Sequence, residues 1–92
     1  LQVARQAFGE VHAEAAYAGM RLAAVLRIKG DVPAARPHAQ RAAELARQVY
    51  PDTHPQRARI LEELARVQMR QGEIAEGIAL WQEVLAARVA HY

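Results

Sequence analysis

Four side chains in this sequence stand at a spacing suited to recognition chemistry: Arg59, Glu62, Arg66 and Arg70. Steps of three and four residues put them on one face of a helix. Guanidinium groups so arrayed form forks that donate to carboxylates or to the carbonyls of a peptide backbone. Tyr17 and Met20 would lay an apolar shelf beside them, with Ala24, Arg27 and Ile28 continuing that helix face. Met69 holds the place that Arg27 holds 42 residues earlier. Together these residues are the candidate peptide-binding surface. The plainer alternative is a solvated helix face in which Glu62 and Arg66 pair for roughly a few tenths of a kcal/mol.

Other chemistries find little support. The chain has no Cys, Ser or Asn, and Thr53 is its single Thr. Nucleophilic hydroxyl and thiol chemistry therefore lacks its usual groups. Glu62 and Glu63 are adjacent and point different ways round a helix, so they make a poor acid–base pair. His12, His38, His54 and His91 include no pair at the i, i+4 spacing that seats a metal. The five Gly are scattered, without the pattern of a phosphate loop. The expectation is a chain that is not an enzyme and has no cofactor. Eleven Arg against ten acidic residues and one Lys leave a small positive net charge with no basic block. A nucleic-acid-binding repeat is thus the weaker alternative to protein binding, because the Arg are interleaved with acids and stacking aromatics are few.

A 42-residue repeat supplies the elements that must position these groups. His12 falls on His54, Leu22-Ala23 on Leu64-Ala65, Val25 on Val67, Gly30 on Gly72 and Gln40 on Gln82. Residues 1–11 then read as the end of a preceding unit, 12–53 as one unit and 54–92 as another. The chain opens on Leu1 and is expected to be a piece of something longer. Helices are predicted near 12–29, 33–50, 55–71 and 74–91, preceded by a tail helix ending near residue 8. Asp31 suits an N-cap with Pro33 in the turn after it. Gly30 and Gly72 suit left-handed C-termini. Thr53 and Gln56 read as a capping box. His12 and His54 should do one structural job twice, at or near the caps. Pro37 removes a donor inside the second predicted helix and is expected to tilt it slightly.

The apolar spacing also predicts packing. One stripe is Leu61, Leu64, Ala65 and Gln68, with Leu22, Val25 and Leu26 as its partner. Another is Ile74, Ile78, Trp81, Val84 and Leu85, matched in the first unit by the smaller Val32, Ala35, Ala39, Ala42 and Leu45. No apolar run is long enough to span a membrane.

The pattern Leu22, Ala23, Leu26, Gly30, Asp31, Val32, Ala35, Ala39 and Ala42, repeated at Leu64, Ala65, Gln68, Gly72, Glu73, Ile74, Gly77, Trp81 and Val84, resembles the tetratricopeptide repeat. The 42-residue period and the His54-Pro55 opening resemble its kinesin light chain type. The resemblance implies an all-α fold: antiparallel helix pairs stacked as a short right-handed solenoid, with first helices lining a concave groove that holds a peptide or a partner helix. It also implies a protein partner. A bacterial, cytoplasmic setting is expected from the Arg and Ala excess and the lack of Cys. Self-association through exposed ends is a further expectation, with Phe8, Tyr50, Trp81 and Tyr92 as the residues concerned.

Overall fold

The computed structural model describes the backbone of residues 2–91 and the side chains of residues 9–90. Four helices follow in order: α1 (Gln2–Ile28), α2 (Val32–Val49), α3 (Pro55–Arg70) and α4 (Ile74–His91), with no strand among the described residues. The fold is all-α, as expected. Phe8, His91 and Tyr92, named above, have side chains outside the described residues.

The helix ends follow from the punctuation residues. Gly30 and Gly72 adopt φ of 93° and 83°. At both ends the third residue beyond the helix donates back six positions inclusive (Asp31 to Leu26, 2.8 Å; Glu73 to Gln68, 2.9 Å), which satisfies carbonyls of the last turn. Asp31 caps α2 by accepting from the Ala34 amide. Pro37 lies inside α2, which runs on unbroken to Val49.

Two expectations about the helix starts are corrected. The cap of α3 is His54, not Thr53: His54 Nδ1 accepts the Gln56 amide at 3.0 Å. Pro55 holds the residue before it in extended backbone, which is the cap conformation. The predicted break between residues 8 and 12 is absent, because α1 is one 27-residue helix. Pro51 and Pro55 divide α2 from α3, whereas no Pro precedes Pro33, and Gly9 alone weakens a helix by only about 1 kcal/mol. His12 is consequently inside a helix and is no cap.

Short connections fold α1 against α2 and α3 against α4 as antiparallel pairs. Ala23 meets the N-terminal half of α2, while Ala16 and Met20 meet its C-terminal half. The approach is close because small residues face each other: a Cβ on Gly19 would lie 3.3 Å from Ala42 Cβ. Helix α3 then packs on α1, α2 and α4 together. It carries the most deeply buried large side chains, Ile60, Leu61 and Val67, with Val84 of α4 beside them. The molecule measures 44 × 28 × 17 Å, its length set by α1 at about 1.5 Å per residue.

The predicted stripes are half right. Leu61, Leu64, Ala65, Ala35, Ala39, Ala42, Leu45 and Val84 are buried. Leu22, Val25, Ile74, Ile78 and Leu85, expected in the core, are 44–55% exposed. Trp81 is only partly buried against the core. The five exposed residues lie on faces of α1 and α4 that no other described helix covers, and Trp81 of α4 packs only in part on the core.

The same repeat position should therefore cost differently in the two units. Leu64→Ala is expected to lower stability by about 2–5 kcal/mol, and Leu22→Ala in dilute solution by about 0.5 kcal/mol or less. Urea midpoints of the two variants test this, and equal shifts would contradict it.

Candidate protein-binding groove

The face shared by α1 and α3 forms an open groove of about 580 Å³. Tyr17, Met20, Ala24, Arg27 and Ile28 line its α1 side, and Arg59, Glu62 and Arg66 its α3 side. The structure thus brings together most of the candidates read from the sequence. Met69 and Arg70 stand outside this lining. The Met69 thioether covers Gly77 on α4, where an added Cβ would lie 2.6 Å from its sulfur.

Arg27 does a different job from the one its position suggested. Its Nε donates to Glu63 Oε2 at 2.6 Å and its Nη2 to Glu63 Oε1 at 3.1 Å. The side chains are 14% and 8% exposed. Hydrogen bonding to Glu63 raises the Arg27 pKa, against burial, which lowers it. This two-pronged pair forms part of the groove wall and ties α1 to α3.

Glu62 is also occupied. It accepts from Arg66, one turn along α3, at 2.6 Å, and from Arg88 on α4. Arg21 donates to the Tyr17 hydroxyl at 3.4 Å, and its guanidinium carbon lies 5.7 Å from the Tyr17 ring centroid. Arg59 is exposed and has no ion-pair partner among the described residues. Five Arg and two Glu line the groove, both Glu are held by Arg, and so the surface presents an excess of positive charge. Such a surface can donate hydrogen bonds to anions while Tyr17 and Ile28 offer apolar contact; Met20, expected on this shelf, is instead buried in the core between α1 and α2.

Arg21, Val25, Glu63 and Arg88 are lining residues that the sequence reading did not select. Arg88 comes from a second helix, and only first helices were expected in the groove. A signal for it existed: its repeat partner is Ala46, fully buried against the core. A charged side chain replacing a core Ala must reach outward.

A second ionic cluster lies away from the groove. Arg47 of α2 and Arg57 of α3 both bind Glu83 of α4. Burial pushes the Glu83 carboxyl up, but the bonds and charges of the two Arg together outweigh it and hold it below its ordinary value. Among the described residues no three His, Cys, Asp or Glu side chains gather as a metal site. No described helix is long and apolar enough to cross a membrane.

The sequence model of the tetratricopeptide repeat matches residues 12–88. The chain belongs to the tetratricopeptide repeat family. Repeats of this family generally mediate protein–protein interactions and generally act without enzymatic activity. No curated protein and no solved structure matches the chain.

Arg27→Met and Glu63→Leu should each destabilise the fold by about 3 kcal/mol, because each strands a buried charge. The double variant should lie within about 1 kcal/mol of the parent. Additive losses in a denaturation cycle would show that the two side chains do not act as a pair.

Proposed function

We propose that this repeat array is a non-enzymatic protein-binding module whose α1–α3 groove holds a peptide or partner helix rich in carboxylates. The charge of the groove carries the reading. Its two Glu are already engaged by Arg27, Arg66 and Arg88, so an entering chain meets Arg21 and Arg59 with no competing carboxylate on them. Beside them the Tyr17 and Ile28 surface accepts apolar side chains. Tyr17, Arg21, Ile28, Arg59 and Arg66 are the assigned contacts, with Met20 buried beneath them. Arg27 and Glu62 hold the groove in shape. Met69 and Arg70, at the far end of α3, would extend it toward a longer ligand.

We further assign the units to residues 12–53 and 54–92, with 1–11 as the lead-in from a preceding unit. The 42-residue spacing and the His54-Pro55 start of α3 support the kinesin light chain type. His54 gives that dipeptide a physical role, since Pro55 fixes the backbone in which His54 caps the helix.

A fluorescein-labelled peptide rich in Glu and Leu tests the reading by anisotropy. It should bind, and Arg21→Glu with Arg59→Glu should weaken binding by about tenfold or more, the effect of losing about 1.4 kcal/mol. Versions carrying Lys in place of Glu should not bind. Equal binding of the Lys version, or tighter binding of a single-stranded oligonucleotide, would overturn the assignment.

A further inference from the structure

The repeat sets a contact in the second helix pair beside its counterpart in the first. In the first pair Met20 of α1 and Ala46 of α2 are buried in one apolar cluster. At the same places 42 residues later stand Glu62 and Arg88, and Ala24 is matched by Arg66. An apolar contact between paired helices has given way to three charged side chains. Such an exchange adds little stability, because desolvation offsets much of the attraction between the charges. What it adds is a set of charged groups in the wall of the groove, which all three line.

Glu62 is the base of the arrangement. Its Oε1 accepts from Arg66 Nη2 at 2.6 Å, one turn along α3, and its Oε2 accepts from Nη2 of Arg88, which reaches across from α4. The carboxylate is the recessed member, with its side chain 15% exposed against 48% for Arg66 and 40% for Arg88. Each guanidinium commits one nitrogen to Glu62 and makes no other hydrogen bond or ion pair among the described residues. Nε and Nη1 of both therefore remain to donate. Two positive charges against one negative leave a single positive charge, which one further carboxylate neutralises. Without Glu62 the two guanidiniums would repel each other and spread.

We propose that Arg66 and Arg88 together seat one Glu or Asp side chain of the partner peptide, with Glu62 as the positioning residue that keeps them convergent. This assignment rests on the α1–α3 groove being the binding face, and it adds Arg88, from α4, to the residues that touch the partner. The benefit is preorganisation, since both Arg side chains are held before the partner arrives.

Charge and geometry predict opposite outcomes at this residue. Glu62→Gln removes a negative charge from a groove for acidic ligands. On charge alone, binding should tighten about threefold, the effect of one unit charge about 7 Å off in water. Gln, however, has one acceptor oxygen, and its amide N–H groups would meet the second guanidinium. Loss of one oriented charge-assisted bond weakens binding about tenfold or more, so the geometric loss outweighs the charge.

Anisotropy titrations with the labelled Glu- and Leu-rich peptide, amidated so that only side-chain carboxylates are offered, read the result. Glu62→Gln should bind about threefold or more weaker than the parent chain. Glu62→Asp keeps the charge but shortens the reach by one methylene, and it too should weaken binding. On an Arg88→Gln background the seat is already gone, so adding Glu62→Gln should reverse sign and tighten binding about threefold. Tighter binding by Glu62→Gln in both backgrounds, or Glu62→Asp equal to the parent, overturns the seat and leaves the groove reading standing. A parent chain that does not bind overturns both. Helical circular dichroism at the assay temperature verifies folding, and if Glu62→Gln loses helix, Glu62→Asp decides.

Discussion

A pair of helices cannot cover both of its own apolar faces, and the rest of this structure depends on how α3 resolves that constraint. Helix α3 is the one described element packed against all three others. Ile60 and Val67 reach 0% exposure there, and full burial of such side chains contributes about 1.5–3 kcal/mol each. Apolar packing is non-directional, so it does not by itself fix how one pair sits on the next. Directional contacts add that: Arg27 to Glu63, Arg36 to Glu73, and Arg47 with Arg57 to Glu83. They tie the first pair to the second at three separated places, which restricts sliding and rotation between them.

The groove follows from that joint. With α1 and α3 held side by side, their unburied faces make one continuous surface. The ties that hold the joint also consume its acids, since Glu63 is taken by Arg27 and Glu62 by Arg66 and Arg88. What remains toward solvent is mainly cationic and apolar. The contacts that hold the joint thus also set the charge of its surface: with both wall carboxylates paired, Arg21 and Arg59 have no acidic partner among the described residues.

Much of this was legible in the sequence, and the misses share a cause. The repeat, the two Gly at φ above 80° and the Asp31 cap depend on neighbours a few residues away, so local pattern suffices. The candidate groove was mostly legible too, because residues at helical spacing must share a face. What pattern does not convey is which neighbour is present. Leu22 and Leu64 occupy one repeat position, yet among the described residues only Leu64 has a preceding pair to bury it. Arg27 lay correctly on the groove face, but its capture by Glu63, 36 residues away, is a tertiary fact. Arg88 was missed because only first helices were considered. The break near residue 8 was inferred from repeat symmetry, and without a Pro that symmetry does not interrupt a helix. His54 displaced Thr53 as cap because Pro55 sets where α3 begins.

The central claim is that a carboxylate-rich partner occupies the α1–α3 face. Amide chemical-shift mapping during titration with the Glu- and Leu-rich peptide addresses it most directly. The account predicts that the largest shifts cluster at Tyr17, Arg21, Ile28, Arg59 and Arg66. Shifts concentrated instead around Ile78 and Leu85, or around Arg47 and Arg57, would place the partner elsewhere and contradict it.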